Sequence, residues 1–423
     1  MIGLAFFILV FGGLVLAANH VGGRHRGELA WIIILALVAR ITMMAFGSDL
    51  PWFTNGVEGD WTGYERVSIL VARTWERTGI YYYMQDVGTA KISDVSLPVN
   101  IFSFIFFLNG SVPSRLGGTA VVAGAACLTG LNFYALAVQR RVPENVALWA
   151  TAALLFVPSI FLYSSHMYKD GLVLALTFGA LAAAVRLSDK FSVEQLIVGV
   201  VCAGLLWLVR HYLLFAVAVP MGIGVVGLGS RSVFRQMTAL VVGAAAFMLV
   251  ASYSDVLTTL GDDAQRTFDI GTSTNVVDAN STGGSGIHFD ANNSPWSQIH
   301  LKLAYTLLSP FPWGPGSLAL QLAKLDGLFL IYSLYRTIRY LPKLWRTDKT
   351  SAALLLAFAV PMSVIYAAGV SNVGLIVRQR IPVTAAFALL AVLTFRIPDA
   401  PPEKVPVPNP RARRILRARA ALP

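Results

Sequence analysis

Charge is what this sequence has least of: 13% of its 423 residues are Asp, Glu, Lys or Arg, while 56% are hydrophobic. A soluble domain carries roughly a quarter charged residues. The composition therefore excludes a soluble enzyme and indicates a polytopic membrane protein. Cysteine is scarcer still. Cys127 and Cys202 are the only two, each inside an apolar run. They fit small core residues better than a disulfide, and no metal-ligand spacing is present. The chain names no cofactor and leaves a divalent metal open. Acidic residues number 22 against 33 basic ones, for a net charge of +11. In a membrane protein that excess points to anionic lipid headgroups before nucleic acid. The run Met1–Ala17 lacks a basic region ahead of it, so it reads as a retained span, not a cleaved signal.

Long apolar runs are abundant. Each crossing of the hydrocarbon needs about 17–25 apolar residues, and the chain reads as an all-α polytopic membrane protein with about eleven transmembrane helices. These fall near 1–17, 29–46, 116–138, 146–164, 170–187, 195–210, 213–229, 237–253, 319–336, 351–370 and 380–396. Residues 1–396 form one transmembrane domain. The segment 397–423 is Pro-rich, then Arg-rich, and reads as a disordered basic cytoplasmic tail lying on anionic lipid. The positive-inside rule sets the orientation. With Arg24 and Arg26 in the cytoplasm, alternation brings most other basic residues to the same side, among them Arg140, Arg141, Arg231, Arg339, Lys343 and Arg414. The N-terminus is then outside and the C-terminus cytoplasmic, with the chain expected in a plasma (inner) membrane.

Two long segments, 47–115 and 254–318, face outward in this scheme. The first holds Gly59–Gly79, which reads as an amphipathic helix on the membrane surface. Thr62 and Glu65 make a capping-box pair and Gly79 suits the position after the last turn. Tyr64, Val67, Val71 and Trp75 share one face, apolar side down, with Glu65, Arg66, Arg73, Glu76 and Arg77 elsewhere. Asp60 stands at the start. Beyond it come Tyr81–Tyr83, an aromatic belt or a sugar platform, and the apolar piece Pro98–Leu108, too short to cross and so re-entrant or interfacial. The second segment begins rich in Gly, Asn, Ser and Asp, a composition of functional or mobile loops. It ends in the stiff Pro/aromatic run Ser309-Pro310-Phe311-Pro312-Trp313, suited to headgroup level.

The polar residues that could carry chemistry gather on the outer side. They are Glu58 and Asp60; His166, Lys169 and Asp170 in the turn YSSHMYKDG; Arg210 and His211; and Arg378 and Arg380 at the mouth of the last span. Charges at span ends are functional candidates because they cost free energy unless they snorkel, pair or face a wet cavity. Each also has a plain structural reading. Asp60 suits a helix cap, Lys169 and Asp170 could pair with each other, and the arginines could snorkel to headgroups. Positive-inside bias disfavours outer cations, however, so several kept there point to an anionic ligand. A carboxylate base, outer cations and an apolar groove are what sugar transfer from a lipid phosphate needs. The carboxylate takes the acceptor proton, and the cations, arginine above all, stabilise the departing phosphate.

Asp60-x-x-x-Tyr64, followed by Ala72 and Gly79 on the helix of the first large outer loop, resembles the GT-C superfamily of integral-membrane glycosyltransferases that use polyprenyl-phosphate sugars. Other pieces are similar to membrane proteins of bacterial polysaccharide clusters. These are Pro158-Ser159 through Lys169-Asp170, Arg210-His211-Tyr212, Pro310 to Trp313, and Asn372 through Arg380. The resemblance implies Asp60 as catalytic base, with Glu58 near. It further implies a polyprenyl-phosphate sugar donor, a cell-envelope glycan or lipid-linked acceptor, and a GT-C-like fold. Arg378, Arg380, Arg210 and Lys169 are the expected phosphate ligands, supported by Tyr64, His166, Asp170 and His211. Other functions fit the same sequence: a polymerase or ligase of lipid-linked oligosaccharides, a transporter or flippase of a lipid-linked glycan, and a structural or assembly partner, which would explain the membrane scaffold but not the outer cations. Internal repeats and midplane charges, the marks of a transporter, are not evident apart from Arg40.

Overall fold

The computed structural model describes residues 1–47, 60–86, 92–227, 298–314, 318–368 and 372–396. Regular structure there is helical: α1 (Ile2–Val21), α2 (Arg26–Thr42), α3 (Asp60–Thr78), α4 (Ser96–Leu108), α5 (Arg115–Gln139), α6 (Glu144–Leu155), α7 (Pro158–Leu162), α8 (Asp170–Asp189), α9 (Val193–Trp207), α10 (His211–Val226), α11 (Ile299–Leu308), α12 (Leu318–Thr347), α13 (Lys349–Ala368), α14 (Val373–Gln379) and α15 (Ile381–Leu393).

Five helices among the described residues are long and apolar enough to cross a membrane: α1, α2 with its extension to Gly47, α5, α8 and α13. The bent pair α14–α15 makes a sixth if it counts as one span. The described residues thus carry five or six of the eleven expected spans. Helices α4, α9, α10 and α11 are apolar but shorter, and the expected crossings at 237–253 and the tail 397–423 lie outside the described residues. The expected span 146–164 is interrupted. Pro158 cannot donate a hydrogen bond and disfavours a helical residue before it, so α6 stops at Leu155 and α7 restarts at Pro158.

Helices α8 and α15 form the centre. Every residue of α15 is buried, as befits a helix that is apolar all round. Close packing around α8 depends on small residues, the usual means by which helices approach in lipid. A Cβ at Gly171 would stand 2.6 Å from the Val122 carbonyl oxygen, and one at Gly224 would stand 2.5 Å from that of Ala184. Backbone cannot step aside. Gly224→Ala is therefore expected to push α10 off α8 at a cost of about 1–3 kcal/mol, read as a lower thermal midpoint in detergent. An unchanged midpoint would mean that the crossing has slack.

The amphipathic helix exists but is placed differently from expectation. It starts at Asp60, so Thr62 lies inside it and is not the cap. Gly79 does close it, at φ +82°, its N–H reaching the Trp75 carbonyl at 2.9 Å. Its apolar face does not rest on lipid. Val71 and Trp75 are buried with Tyr83, Ile92 and Val99, and Tyr64, Val67 and Phe107 pack against them. Helix α4 supplies the apolar surface that a membrane would otherwise give. Asn100 of α4 fastens the tyrosine run: its side chain accepts from Tyr83 N and donates to Tyr83 O, both at 2.8 Å.

The bundle has two chemically distinct ends. At one, Arg140 meets Asp189 at 2.8 Å and Asp348 at 3.6 Å, and Arg396 reaches Asp348 at 3.6 Å. The other holds the Pro158 break, the N-terminus of α8 and the α14–α15 bend. At the break, Leu155 O and Ser159 N have lost each other as helical partners. The carbonyl accepts from Arg40 Nη2 at 2.7 Å, while Ser159 N donates to the Asp326 carboxylate at 3.1 Å. Arg40 also bonds Ser164 Oγ at 2.7 Å and Ala36 O at 2.9 Å. Two charges inside the bundle thus splint one broken helical turn. Arg40 is a structural residue, and the buried Asp326 serves the other side of the same break.

Candidate functional site

Four polar segments converge where α8 and α10 begin. Asp170 opens α8, and its negative charge suits a helix N-terminus. Arg210 precedes α10 in extended backbone. Arg378 comes from the last turn of α14, a helix started by Asn372, whose side chain accepts from Gly374 N and Leu375 N. Asp60 comes from the start of α3.

Asp170 is the hub. Its carboxylate accepts from Arg210 Nη2 at 2.8 Å and from Arg378 Nε at 2.6 Å, and its side chain is 2% exposed. Arg378 Nη1 donates to Asp60 Oδ2, and the Asp60 side chain is 66% exposed. The order is Arg210, Asp170, Arg378, Asp60, running from the interior to the surface. Among the described residues, Arg378 Nη2 and Arg210 Nη1 have no hydrogen-bond partner. The Arg378 guanidinium lies over the rings of Tyr163 and Tyr168, 5.4 and 5.2 Å from their centroids. Burial pushes the Tyr163 phenol up to about 12, and burial raises Tyr168 and Tyr64 further. All three remain neutral at physiological pH.

Lys169 sits beside Asp170, half-buried, with Nζ 3.5 Å from Val209 O. Burial, followed by the charge of Arg210, lowers its pKa to about 7, against the opposing pull of Asp170 and Asp60. His166 stacks on Trp61 with centroids 5.1 Å apart, and the Arg115 guanidinium lies 4.9 Å from the Trp61 centroid. Arg115 in turn bonds Glu65 at 2.8 Å. This ledge adjoins Asp60.

Asp60, Asp170, Arg210, Arg378 and Lys169 therefore come together, with Tyr64 and His166 at the margin. Arg380 does not join them. An extended approach to the last span would have aimed Arg378 and Arg380 the same way. Instead Arg378 is helical, Arg380 has φ −75° and ψ −2°, and the chain turns by 55° there. Pro382 sits in the first turn of α15, a position that accepts proline. Arg380 faces α11, donating to Thr306 O at 3.0 Å. His211, next to Arg210, stacks on Trp207 at 4.4 Å. Glu58 lies outside the described residues. Tyr163, Tyr168 and Trp61 were not singled out from sequence. Two tyrosines flanking a charged turn were the available signal.

Among the described residues, no group of three or more His, Cys, Asp or Glu side chains could hold a metal ion. A cavity of about 770 Å³ opens at the opposite end, lined by Arg24, His25, Glu28, Arg141 and Glu144, and shares no residue with this cluster.

The fold and site define a helical membrane protein with a buried Arg–Asp–Arg relay that ends at an exposed carboxylate. Comparison with protein-family models, curated proteins and solved structures finds no match to this chain.

Proposed function

We propose that this protein is a membrane glycosyltransferase of the GT-C type. It moves a sugar from a polyprenyl-phosphate donor to a cell-envelope glycan or lipid-linked acceptor at the outer face of the inner membrane. One observation carries the reading. Two arginines are paired with the buried Asp170, each has a guanidinium nitrogen with no partner among the described residues, and Asp60 lies within bonding reach of Arg378. Fixed donors of this kind stabilise charge that appears on a departing phosphate. Asp60 is the exposed carboxylate that can meet an acceptor hydroxyl, taking its proton as the oxygen bonds the sugar and the sugar–phosphate bond breaks. The neutral phenols of Tyr163 and Tyr168 line the Arg378 side. The full set of about eleven spans belongs to the same proposal.

The test is a panel of synthetic polyprenyl-phosphate hexoses and pentoses offered to the purified protein in detergent, with polyprenol as control. Saturable binding and release of polyprenyl phosphate with an acceptor extract are expected. No discrimination from polyprenol would end the proposal. Topology is tested separately with an impermeant thiol reagent in intact cells. A cysteine introduced at Ser285 should label and one at Asn409 should not. The reverse pattern would put the site on the wrong face.

Lys169 gives a pH signature. A phosphodiester donor keeps its charge between pH 6 and 8.5, whereas Lys169, titrating near 7, loses its charge as pH rises. Donor affinity is expected to fall by about fivefold across that range, near 1 kcal/mol for one partly screened charge. Lys169→Arg should flatten the slope. Parallel slopes in both proteins would remove Lys169 from the site.

A second reading, a polymerase or ligase of lipid-linked oligosaccharides, is favoured by the engagement of Asp60 with Arg378. In that reaction the same arginines would hold a pyrophosphate and Asp60 need not act as base. Products longer than one added sugar would select it.

A further inference from the structure

Arginine presents two forks to an oxyanion, one from Nε with a terminal nitrogen and one from Nη1 with Nη2. In Arg378 the first is committed, because Nε bonds the buried Asp170 at 2.6 Å. Nη1 bonds Asp60, and Nη2 is buried without a partner among the described residues. The remaining fork is therefore half filled by the protein's own carboxylate. Asp170 cannot give way, since it is 2% exposed and is held by Arg210 as well. Asp60 can, since it is 66% exposed, stands on the first residue of α3 and, among the described residues, has Arg378 as its ion-pair partner.

We infer that Asp60 holds the ligand's place on Arg378 in the free protein, and that a phosphate oxyanion binds by displacing it. The inference rests on the phosphate-donor reading of this site and deepens it. The ligand group is a phosphate that presents two oxygens to the Nη1–Nη2 fork. The same step frees Asp60 to meet an acceptor. In the latched state the carboxylate is occupied and the phosphate fork is closed. With phosphate bound, both are released together, so the base becomes available only when there is a leaving group for it to serve. The latch lowers apparent affinity by the fraction of molecules that are open. Removing the carboxylate therefore has opposite effects on binding and on turnover.

The experiment uses the full-length protein in detergent, with farnesyl phosphate and inorganic phosphate as probes. Wild type, Asp60→Asn, Asp60→Ala and Arg378→Lys are compared by equilibrium binding. Hydrogen exchange is followed in the wild-type peptide spanning Asp60 to Ser68. Both Asp60 variants are expected to bind farnesyl phosphate roughly three- to tenfold tighter than wild type, as the closed fraction disappears. Exchange at the start of α3 should quicken when ligand binds wild type. If inorganic phosphate shows the same gain, the fork reads the phosphate alone. A gain confined to farnesyl phosphate assigns the ligand to a lipid. Binding that needs Arg378 but is indifferent to Asp60 would overturn the latch and leave the phosphate site standing. Tighter binding with slowed or unchanged exchange would also overturn it, because like-charge repulsion alone gives that pattern. Wild type that binds neither probe, or binds them regardless of Arg378, would remove the phosphate site itself.

Discussion

Arg378→Ala is expected to weaken binding of a polyprenyl-phosphate sugar by roughly 30- to 5,000-fold, the range for truncating one partner of a buried hydrogen-bonded charge pair. Arg378 is bonded to both carboxylates of the site, and its Nη2 has no partner among the described residues. Its loss would remove the fork and leave Asp170 with Arg210 alone, so the thermal midpoint must be followed beside affinity. Arg378→Lys separates the two effects. A lysine keeps the charge that Asp170 needs but replaces a planar fork with a point charge, so folding should recover more fully than affinity. Arg380→Ala should behave differently. It donates to Thr306 O, feels the Asp326 charge and, among the described residues, makes no ion pair with the relay, so stability should suffer while affinity stays within a few-fold. Arg419→Ala, in the tail, is the neutral control. Equal affinity in the Arg378 and Arg419 variants would reduce Arg378 to a structural clamp.

Asp60→Asn is expected to lower turnover by roughly two to four decades, the usual consequence of losing a general base, without loss of donor affinity. Asn keeps the shape and serves nearly as well at a helix start, so α3 should stay folded. Capping alone predicts almost no change in rate. Turnover within threefold of wild type would exclude Asp60 from proton transfer and favour the pyrophosphate chemistry, in which Asp60 has no such role.

The members of the cluster were legible singly but their arrangement was not. Asp60, Lys169, Asp170, Arg210 and Arg378 were each conspicuous as charges beside apolar runs. Nothing local said that Asp170 would be the hub, because its partners lie 40 and 208 positions away. Arg380 misled because its grouping with Arg378 depended on backbone shape over two residues, and a 55° bend between helices divides them. Asp326 was overlooked inside an apolar run that reads well as a span. Its task there, holding Ser159 N, becomes visible only when Pro158 is seen to break the helix. The face of α3 was read correctly from its periodicity. Its covering was not, since an amphipathic stripe gives no sign of whether lipid or α4 lies beneath it.

The splinted break between α6 and α7 bears on how the chain is assembled during synthesis. Arg40 precedes the break and can take the Leu155 carbonyl as soon as that turn forms. Asp326 comes 167 positions after Ser159, so the bare amide lacks its carboxylate partner until α12 arrives. A nascent chain stopped short of Asp326 would therefore carry one mended and one open end of the same turn. The quality-control machinery of the membrane should clear such truncated chains faster than ones released just beyond α12, and the dividing line should move if Asp326 is replaced.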